Sequence, residues 1–423
     1  MKRINYIFIC LVILVAVSCA KEEKDFFLAS PAERINQALK DDFTALASAQ
    51  NGWAMEYFAT TESPGYMLLV KFEASGKATF AAKSELTKNK EYETDTCLFE
   101  MIADNGPVLT FNTYNKVLHR FSNPVDPDGY GLEGDYEFVI ISTAPDKIVL
   151  KGKKRGSIVV LSKISNDVTW PQYIAGLDAM QLLLFSKDAP KLTLKTGQSI
   201  YSFSNGINHV FSIVKEGAGL NLPVDAPFIV TLSGIRFQSV QEIENVKFQT
   251  FELSEDKSSL ICKEDPSIKL TGTEDLAIYF ASNIKIWEFI PAELSPNIKS
   301  IYDQIVQSCV AKYNADEVKL AIRYYTTRKT FELTLTYMVG QIKNEGNLDL
   351  TLNTNGKNSL TLNQKGTGDN YGMNYSTDIE GYKEMSTIIS TSFALSTNSM
   401  INPKKIKFVK NSEANTWFTV VPQ

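Results

Sequence analysis

The sequence predicts an α+β chain that is mostly β. Its units are antiparallel meander modules, each a lipocalin-like barrel or strongly curved sheet preceded by an amphipathic helix. Three observations lead there. Apolar residues alternate with polar or small ones in many short stretches, the period-2 mark of a sheet buried on one face. A capped helix of period 3.6 stands before the first of these stretches. The same order of helix and strands then returns about 265 residues later, as a duplicated module would.

The first helix begins at Ser30-Pro31-Ala32-Glu33. Serine is a good N-cap, proline has the right φ for the first helical position, and a glutamate three residues after the cap can bond back to it. Ile35, Leu39, Phe43 and Leu46 share one face until Asn51-Gly52 stops the helix. Trp53, Met55 and Tyr57 then alternate, as do Tyr66, Leu68, Val70 and Phe72, and Ser75-Gly76 turns the chain into Ala78-Thr79-Phe80. In the second copy Ser295-Pro296 opens a helix carrying Ile298, Ile301, Ile305 and Cys309 on one side. Val318, Leu320 and Ile322 follow, then Phe331, Leu333, Leu335 and Tyr337. Each copy ends in a pair of strands, Lys147 to Leu150 with Ile158 to Leu161, and Lys405 to Phe408 with Trp417 to Val420. Between the copies, Trp170-Pro171 opens a helix through Leu184, and Val210 to Val214, Phe228 to Leu232 and Lys247 to Leu253 read as strands of a β-rich middle domain. The expected organisation is a signal at 1–18, a tether at 19–29, a first module at 30–165, a middle domain at 166–294 and a second module at 295–423.

The chain has 423 residues, 44% hydrophobic and 22% charged, with 15 Pro and 23 Gly. That composition excludes disordered, collagen-like and coiled-coil chains. The formal net charge of −5 argues against nucleic-acid binding, which needs clustered cations to displace counterions. At the N-terminus, Met1-Lys2-Arg3 precedes an apolar run from Tyr6 to Val17, too short to span a bilayer and placed as a secretory signal. Ala16-Val17-Ser18-Cys19 resembles the bacterial lipobox, which implies cleavage before Cys19 and attachment of diacylglycerol to its thiol. Lys21-Glu22-Glu23-Lys24-Asp25 is a solvated tether. It also resembles the export signal of surface lipoproteins of the Bacteroidota, with a periplasm-facing anchor as the alternative. Cys97, Cys262 and Cys309 remain in the mature chain, odd in number and far apart, so at most one disulfide can form.

Catalytic motifs are missing from the sequence. His119 and His209 are the two histidines, with no H-E-x-x-H for zinc and no G-x-S-x-G for a serine nucleophile. His119 sits in an alternating stretch, Asn115 to Arg120, that reads as a strand. Asp126, Asp128 and Glu137 occupy positions 1, 3 and 12 of an EF-hand-like spacing with glycine at position 6. Oxygen ligands in that pattern wrap calcium, though Tyr130 at position 5 is a poor ligand and a strand follows instead of a helix. Calcium is thus the one cofactor the sequence suggests, against a metal-free Gly/Asp-rich loop. Trp170 and Trp287 are the candidates for stacking on a ligand, whereas Trp53 and Trp417 fall on strands as core residues. Lys151 to Gly156 reads as a solvated hairpin turn.

Asn51-Gly52-Trp53 after a capped helix, Gly131 to Phe138, and Leu150-Lys151-Gly152-Lys153-Lys154, taken with the lipobox, resemble a Bacteroidota lipoprotein family known only as a domain of unknown function. The resemblance implies a place beside a TonB-dependent transporter and its substrate-binding lipoprotein, and it implies no catalytic or binding residues. The expectation is a non-enzymatic, lipid-anchored outer-membrane protein, facing the cell exterior, that binds a nutrient polymer of glycan or protein origin. A hydrolase working through two carboxylates and a structural or adhesive surface subunit are the alternatives.

Overall fold

A computed structural model describes residues 29–423 except 125–128, 130, 186–190, 218, 220–221, 283–285 and 367. Cys19, Asp126 and Asp128 lie outside the described residues. Three closed antiparallel barrels of eight strands follow one another along the chain. The first has α1 (Pro31–Ala47), then β1 (Trp53–Phe58), β2 (Gly65–Phe72), β3 (Lys77–Ala82), β4 (Glu93–Ala103), β5 (Pro107–Phe111), β6 (Glu137–Thr143), β7 (Lys147–Gly152) and β8 (Ile158–Lys163). The second has α2 (Trp170–Leu184), β9 (Leu192–Thr196), β10 (Ser199–Ser204), β11 (Val210–Lys215), β12 (Val224–Val230), β13 (Gly234–Ile243), β14 (Val246–Leu253), β15 (Ser259–Cys262) and β16 (Lys269–Thr271). A short α3 (Leu276–Ser282) leads to the third: β17 (Ile286–Leu294), α4 (Pro296–Tyr313), β18 (Glu317–Tyr325), β19 (Thr330–Val339), β20 (Ile342–Thr354), β21 (Ser359–Gln364), α5 (Asn370–Asp378), α6 (Tyr382–Ile389), β22 (Ser392–Ser396), β23 (Ile406–Lys410) and β24 (Trp417–Pro422).

The mostly β, antiparallel meander architecture is the one the alternation predicts, and closure removes the unpaired edges that an open sheet would expose. Barrel 1 closes where β1 pairs with β8, Met55 opposite Leu161. Barrel 2 closes where β9 pairs with β16, Leu194 opposite Leu270. The middle segment, expected only to be β-rich, is therefore a third closed barrel. Its end also moves: β17, placed in the middle domain by the sequence, pairs with β18 and β24 and closes barrel 3.

The two copies recognised in the sequence differ in detail. Ser30 and Glu33 form the predicted reciprocal cap, the serine hydroxyl accepting from Glu33 N at 3.3 Å and the carboxylate from Ser30 N at 2.8 Å. Ser295 makes no such cap. Its hydroxyl accepts from Trp417 N at 3.0 Å and so ties α4 to β24. Trp53 pairs with Val70, but its counterpart Val318 pairs with Tyr337, the counterpart of Phe72. The second hairpin thus runs two residues out of register, a shift that keeps every side chain on its own face.

The lumens are packed cores. In barrel 1 Trp53, Tyr57, Phe80 and Phe138 are fully buried, and α1 plugs one end, with Phe43 stacked on Phe99 at 5.2 Å and Trp53 Nε1 donating to Leu46 O at 2.8 Å. In barrel 2 phenylalanines fill the interior, Phe211 stacking on Phe228 at 4.4 Å and Phe237 meeting Phe248 edge-on at 5.6 Å. Eight-stranded barrels are narrow enough to be filled by their own side chains. Cys97, Cys262 and Cys309 are buried free thiols, and burial pushes the Cys97 and Cys309 thiols up to about 11. No helix among the described residues is long and apolar enough to cross a membrane.

Neighbouring barrels are joined by side chains that cross between them. The first half of α2 packs Ile174 and Leu177 on the outer wall of barrel 1, against Ala54, Leu69, Ala81 and Ile164. Its end places Leu184, followed by Phe185, in the core of barrel 2. Barrel 3 inserts Ile401 into that same core, and Gly272 passes so close that a Cβ there would lie 2.4 Å from Ile401 Cα.

One surface carboxylate ties down an end of barrel 2. Glu244, in the β13–β14 turn, accepts from Thr196 Oγ1 at 2.7 Å, Ser199 Oγ and Tyr201 OH at 2.9 Å, and Lys215 Nζ at 2.7 Å. Lys215 and then these hydroxyls pull its carboxyl from the ordinary 4.5 down to about 2. A carboxyl that is more acidic in the folded state adds stability above its unfolded pKa and loses it as pH falls toward the folded value. Glu244→Gln is expected to flatten the fall in melting temperature between about pH 4.5 and pH 2 while leaving the neutral-pH fold intact, as circular dichroism melts across that range would read.

Candidate functional site

With the lumens filled, concave surface is found between the modules. One such space is a cleft of about 730 Å³ between barrels 1 and 2, within the 300–1,000 Å³ range of ligand sites and at a domain junction, where such sites are frequent. Its floor is apolar: Met67 from β2, Ile174 and Leu177 from α2, Ile207 from the turn before β11, and Ile229 from β12. Its rim carries Lys83, Glu85 and Lys90 from the β3–β4 loop and Asp178 from α2. Lys83 Nζ reaches Asp178 at 2.6 Å across the mouth, a half-exposed pair that is worth little stability. The cleft thus offers a greasy base with donors and acceptors at its edge, suited to a ligand with one apolar face and a polar perimeter.

Three contacts hold the walls in place. Gly65 lies against barrel 2, where a Cβ would stand 2.7 Å from Ile229 Cβ and 2.8 Å from Phe228 O, so only glycine allows this approach. Glu56 and Arg236 pair across the junction at 2.6 Å, both largely buried. Burial pushes the Glu56 carboxyl up, and the guanidinium offsets part of that rise. His209, in a left-handed conformation at φ 57°, has Nδ1 3.0 Å from Gly65 O and Nε2 2.8 Å from the Gln181 side-chain amide. A neutral imidazole has one N–H, and burial lowers the pKa of His209. Nδ1–H therefore donates to Gly65 O, and Nε2 accepts from Gln181 once its amide is turned to present NH2. Both ring nitrogens are committed, so His209 positions barrel 1, α2 and barrel 2 and has no nitrogen left for general-base work.

The residues singled out by sequence fall elsewhere. Trp287 is fully buried in barrel 3, 5.1 Å from the Phe280 ring, which removes it as a ligand platform. Trp170 is half-buried, packs on the outer wall of barrel 1, and donates Nε1–H to Asn51 O at 2.8 Å. It fastens α2 and is not presented to a ligand. Trp53 is core as expected, whereas Trp417 is half-buried under Lys407, whose Nζ lies 3.7 Å from the ring centroid. His119 belongs to a 3-10 turn and not to a strand. Its Nδ1 accepts from Asn115 N at 3.0 Å. Its ring lies between Tyr114 and Tyr136, at 5.3 and 5.1 Å.

Glu137, the proposed twelfth calcium position, opens β6 and pairs with Lys153 Nζ at 3.2 Å. Among the described residues no three His, Cys, Asp or Glu side chains are grouped to hold a metal. The Gly131–Phe138 stretch and the Lys151–Gly156 turn instead meet as a latch. Buried Asp135 accepts from Lys154 N at 3.0 Å and Arg155 N at 2.7 Å. Glu133 pairs with Arg155, and Tyr57 OH donates to Asp135 O at 2.8 Å. Gly152 makes room for that carboxylate, since a Cβ there would sit 2.3 Å from Asp135 Oδ2. Sequence reasoning did not find Gly65, Gln181 or Ile229, because nothing local marks a residue whose role is to face another module.

The family described as "Domain of unknown function (DUF4302)" matches residues 23–255. This is more than half of the chain, which belongs to that family. The match takes in barrel 1, α2, most of barrel 2 and every residue lining the cleft. No curated protein matches the sequence. Among solved structures the chain is similar to the beta subunit of DNA polymerase from Streptococcus pyogenes, at 10% identity over 91% of this chain and 98% of that one, with a TM-score of 0.14. It is also similar to DNA polymerase III subunit beta from Borrelia burgdorferi, solved with a natural product, at 11% identity over 92% and 97%, with a TM-score of 0.15. At these scores the likeness carries no argument about fold or function.

Two outcomes are expected. Gly65→Val forces barrels 1 and 2 apart at their closest approach and costs about 1–3 kcal/mol in urea unfolding. Asp135→Ala strips the acceptor from two backbone amides and costs about 1–3 kcal/mol, read as an earlier denaturation of barrel 1 by the fluorescence of its buried Trp53.

Proposed function

We propose that the protein is a lipid-anchored, surface-exposed outer-membrane lipoprotein that captures a nutrient polymer, of glycan or protein origin, for a TonB-dependent transporter and its substrate-binding lipoprotein, without chemistry of its own. The observation that carries the binding role is the cleft between barrels 1 and 2. It is built by five segments of barrels 1 and 2 and α2, its walls are held by Gly65, Glu56–Arg236 and His209, and it lies wholly inside the family match. The amphipathic lining suits one unit of a polymer, a pyranose ring or a peptide side chain with its backbone. The export and anchoring part of the reading rests on the lipobox at Cys19 and the charged run after it.

The test is a thermal melt of the protein against polysaccharides, glycosaminoglycans and glycoproteins, with and without calcium. A ligand at about 100 times its Kd stabilises by about 2.7 kcal/mol. A shift with one polymer, abolished by the cleft-filling Ile207→Trp and leaving the polymer intact, is the expected result. Shortened polymer would transfer the case to a hydrolase using carboxylates of the rim. A flat panel would overturn capture and leave the structural or adhesive subunit.

A further inference from the structure

Barrel 3 lies beyond the family match and carries a groove of its own. Along β18 and β19, Leu320, Ile322, Leu333 and Leu335 point into the core. The alternate residues Lys319, Ala321, Arg323, Thr334 and Thr336 therefore face outward. With Glu288 of β17 and Glu345 of β20 they line a groove of about 290 Å³ on the outside of the barrel.

Two features set this surface apart from an ordinary solvated sheet. First, Thr334 is only 3% exposed, yet its Oγ1 has no hydrogen-bond partner among the described residues. It stands between Ala321 and Asn347 on the neighbouring strands. A hydroxyl buried and unpaired is costly, and a native protein keeps one for a reason. Second, the ionised side chains of the lining balance, three glutamates against two lysines and an arginine. They are already matched: Lys319 with Glu317 at 2.8 Å and with Glu288 at 4.0 Å, Lys343 with Glu345 at 2.7 Å, and Arg323 with Glu345 at 2.7 Å. Arg323 is also paired with fully buried Glu332, directly opposite on β19 and 3.2 Å from Nε, and donates to Asn347 Oδ1 at 3.1 Å.

An ionic ligand would find no uncompensated charge here. Paired carboxylates nevertheless keep free lone pairs, and ammonium groups keep free N–H donors. The groove therefore presents donors and acceptors side by side at fixed positions, next to the small apolar surface of Ala321, Met338 and Ile286. Neutral hydroxyls, which both donate and accept, on a ring with an apolar face match that lining. From this we infer that the outer groove of β17–β20 is a second binding site, independent of the inter-barrel cleft, that takes a neutral hexose unit, with Thr334 Oγ1 bonding one of its hydroxyls.

Titration calorimetry of the intact protein with glucose, galactose, mannose and N-acetylglucosamine, alongside glucuronate and glucosamine as charged counterparts, tests the assignment. At least one neutral hexose is expected to bind, more tightly than either charged sugar. Thr334→Val is expected to weaken it at least tenfold while melting no lower than the parent, because valine removes the orphaned hydroxyl and keeps its shape. Ile207→Trp, in the other cleft, is expected to leave this binding unchanged, which separates failure of one site from failure of the other. Absence of binding by all four neutral sugars, equal or tighter binding of glucuronate or glucosamine, or unchanged affinity in Thr334→Val would overturn it.

Discussion

The helix from Trp170 to Leu184 is the constraint on which the arrangement of the first two barrels depends. Its first turns bury Ile174 and Leu177 on the outside of barrel 1, and its end delivers Leu184 and Phe185 to the inside of barrel 2. One rigid element with two apolar faces must satisfy both partners at once, so the barrels cannot turn against each other without exposing one set. Trp170 sets the position of the helix start through Asn51 O, and Gln181 near its end meets His209. The cleft exists because this strut holds two convex bodies close without letting them merge.

Filled lumens decide where binding is feasible. A closed eight-stranded barrel encloses little more than the volume of its inward side chains, and here phenylalanine and tryptophan occupy that volume. What distinguishes this protein from a ligand-holding barrel is thus the size of its inward residues. Recognition is displaced to outer faces and junctions, where polar groups can be held without the desolvation cost of a core. Two buried carboxylates, Asp135 and Glu332, each lie among donors that satisfy them.

Aromatic residues with no evident strand role looked like ligand platforms in the sequence, and carboxylates at regular spacing looked like a metal loop. The tryptophans were misleading, because Trp287 and Trp170 are large apolar surfaces that the fold needs as packing. Of the spaced carboxylates, Glu137 meets Lys153, sixteen residues away along the chain but adjacent in space, while Asp126 and Asp128 lie outside the described residues. Composition and spacing report which groups are available and not which neighbour claims them.

Local chemistry therefore determined a good deal without help. The helix over 170–184, the cap at Ser30 and Glu33, and the strands alternating from Trp53 to Phe80 could all be read from periodicity and turn residues. These depend on interactions a few residues long. Tertiary structure alone decided that the middle segment closes into a barrel, that β17 belongs to the third barrel, that the second hairpin shifts by two residues, and that Gly65, Gln181, His209 and Thr334 matter. Each of those outcomes turns on a partner more than ten residues away or on the volume left inside a closed sheet, quantities that local sequence pattern does not encode.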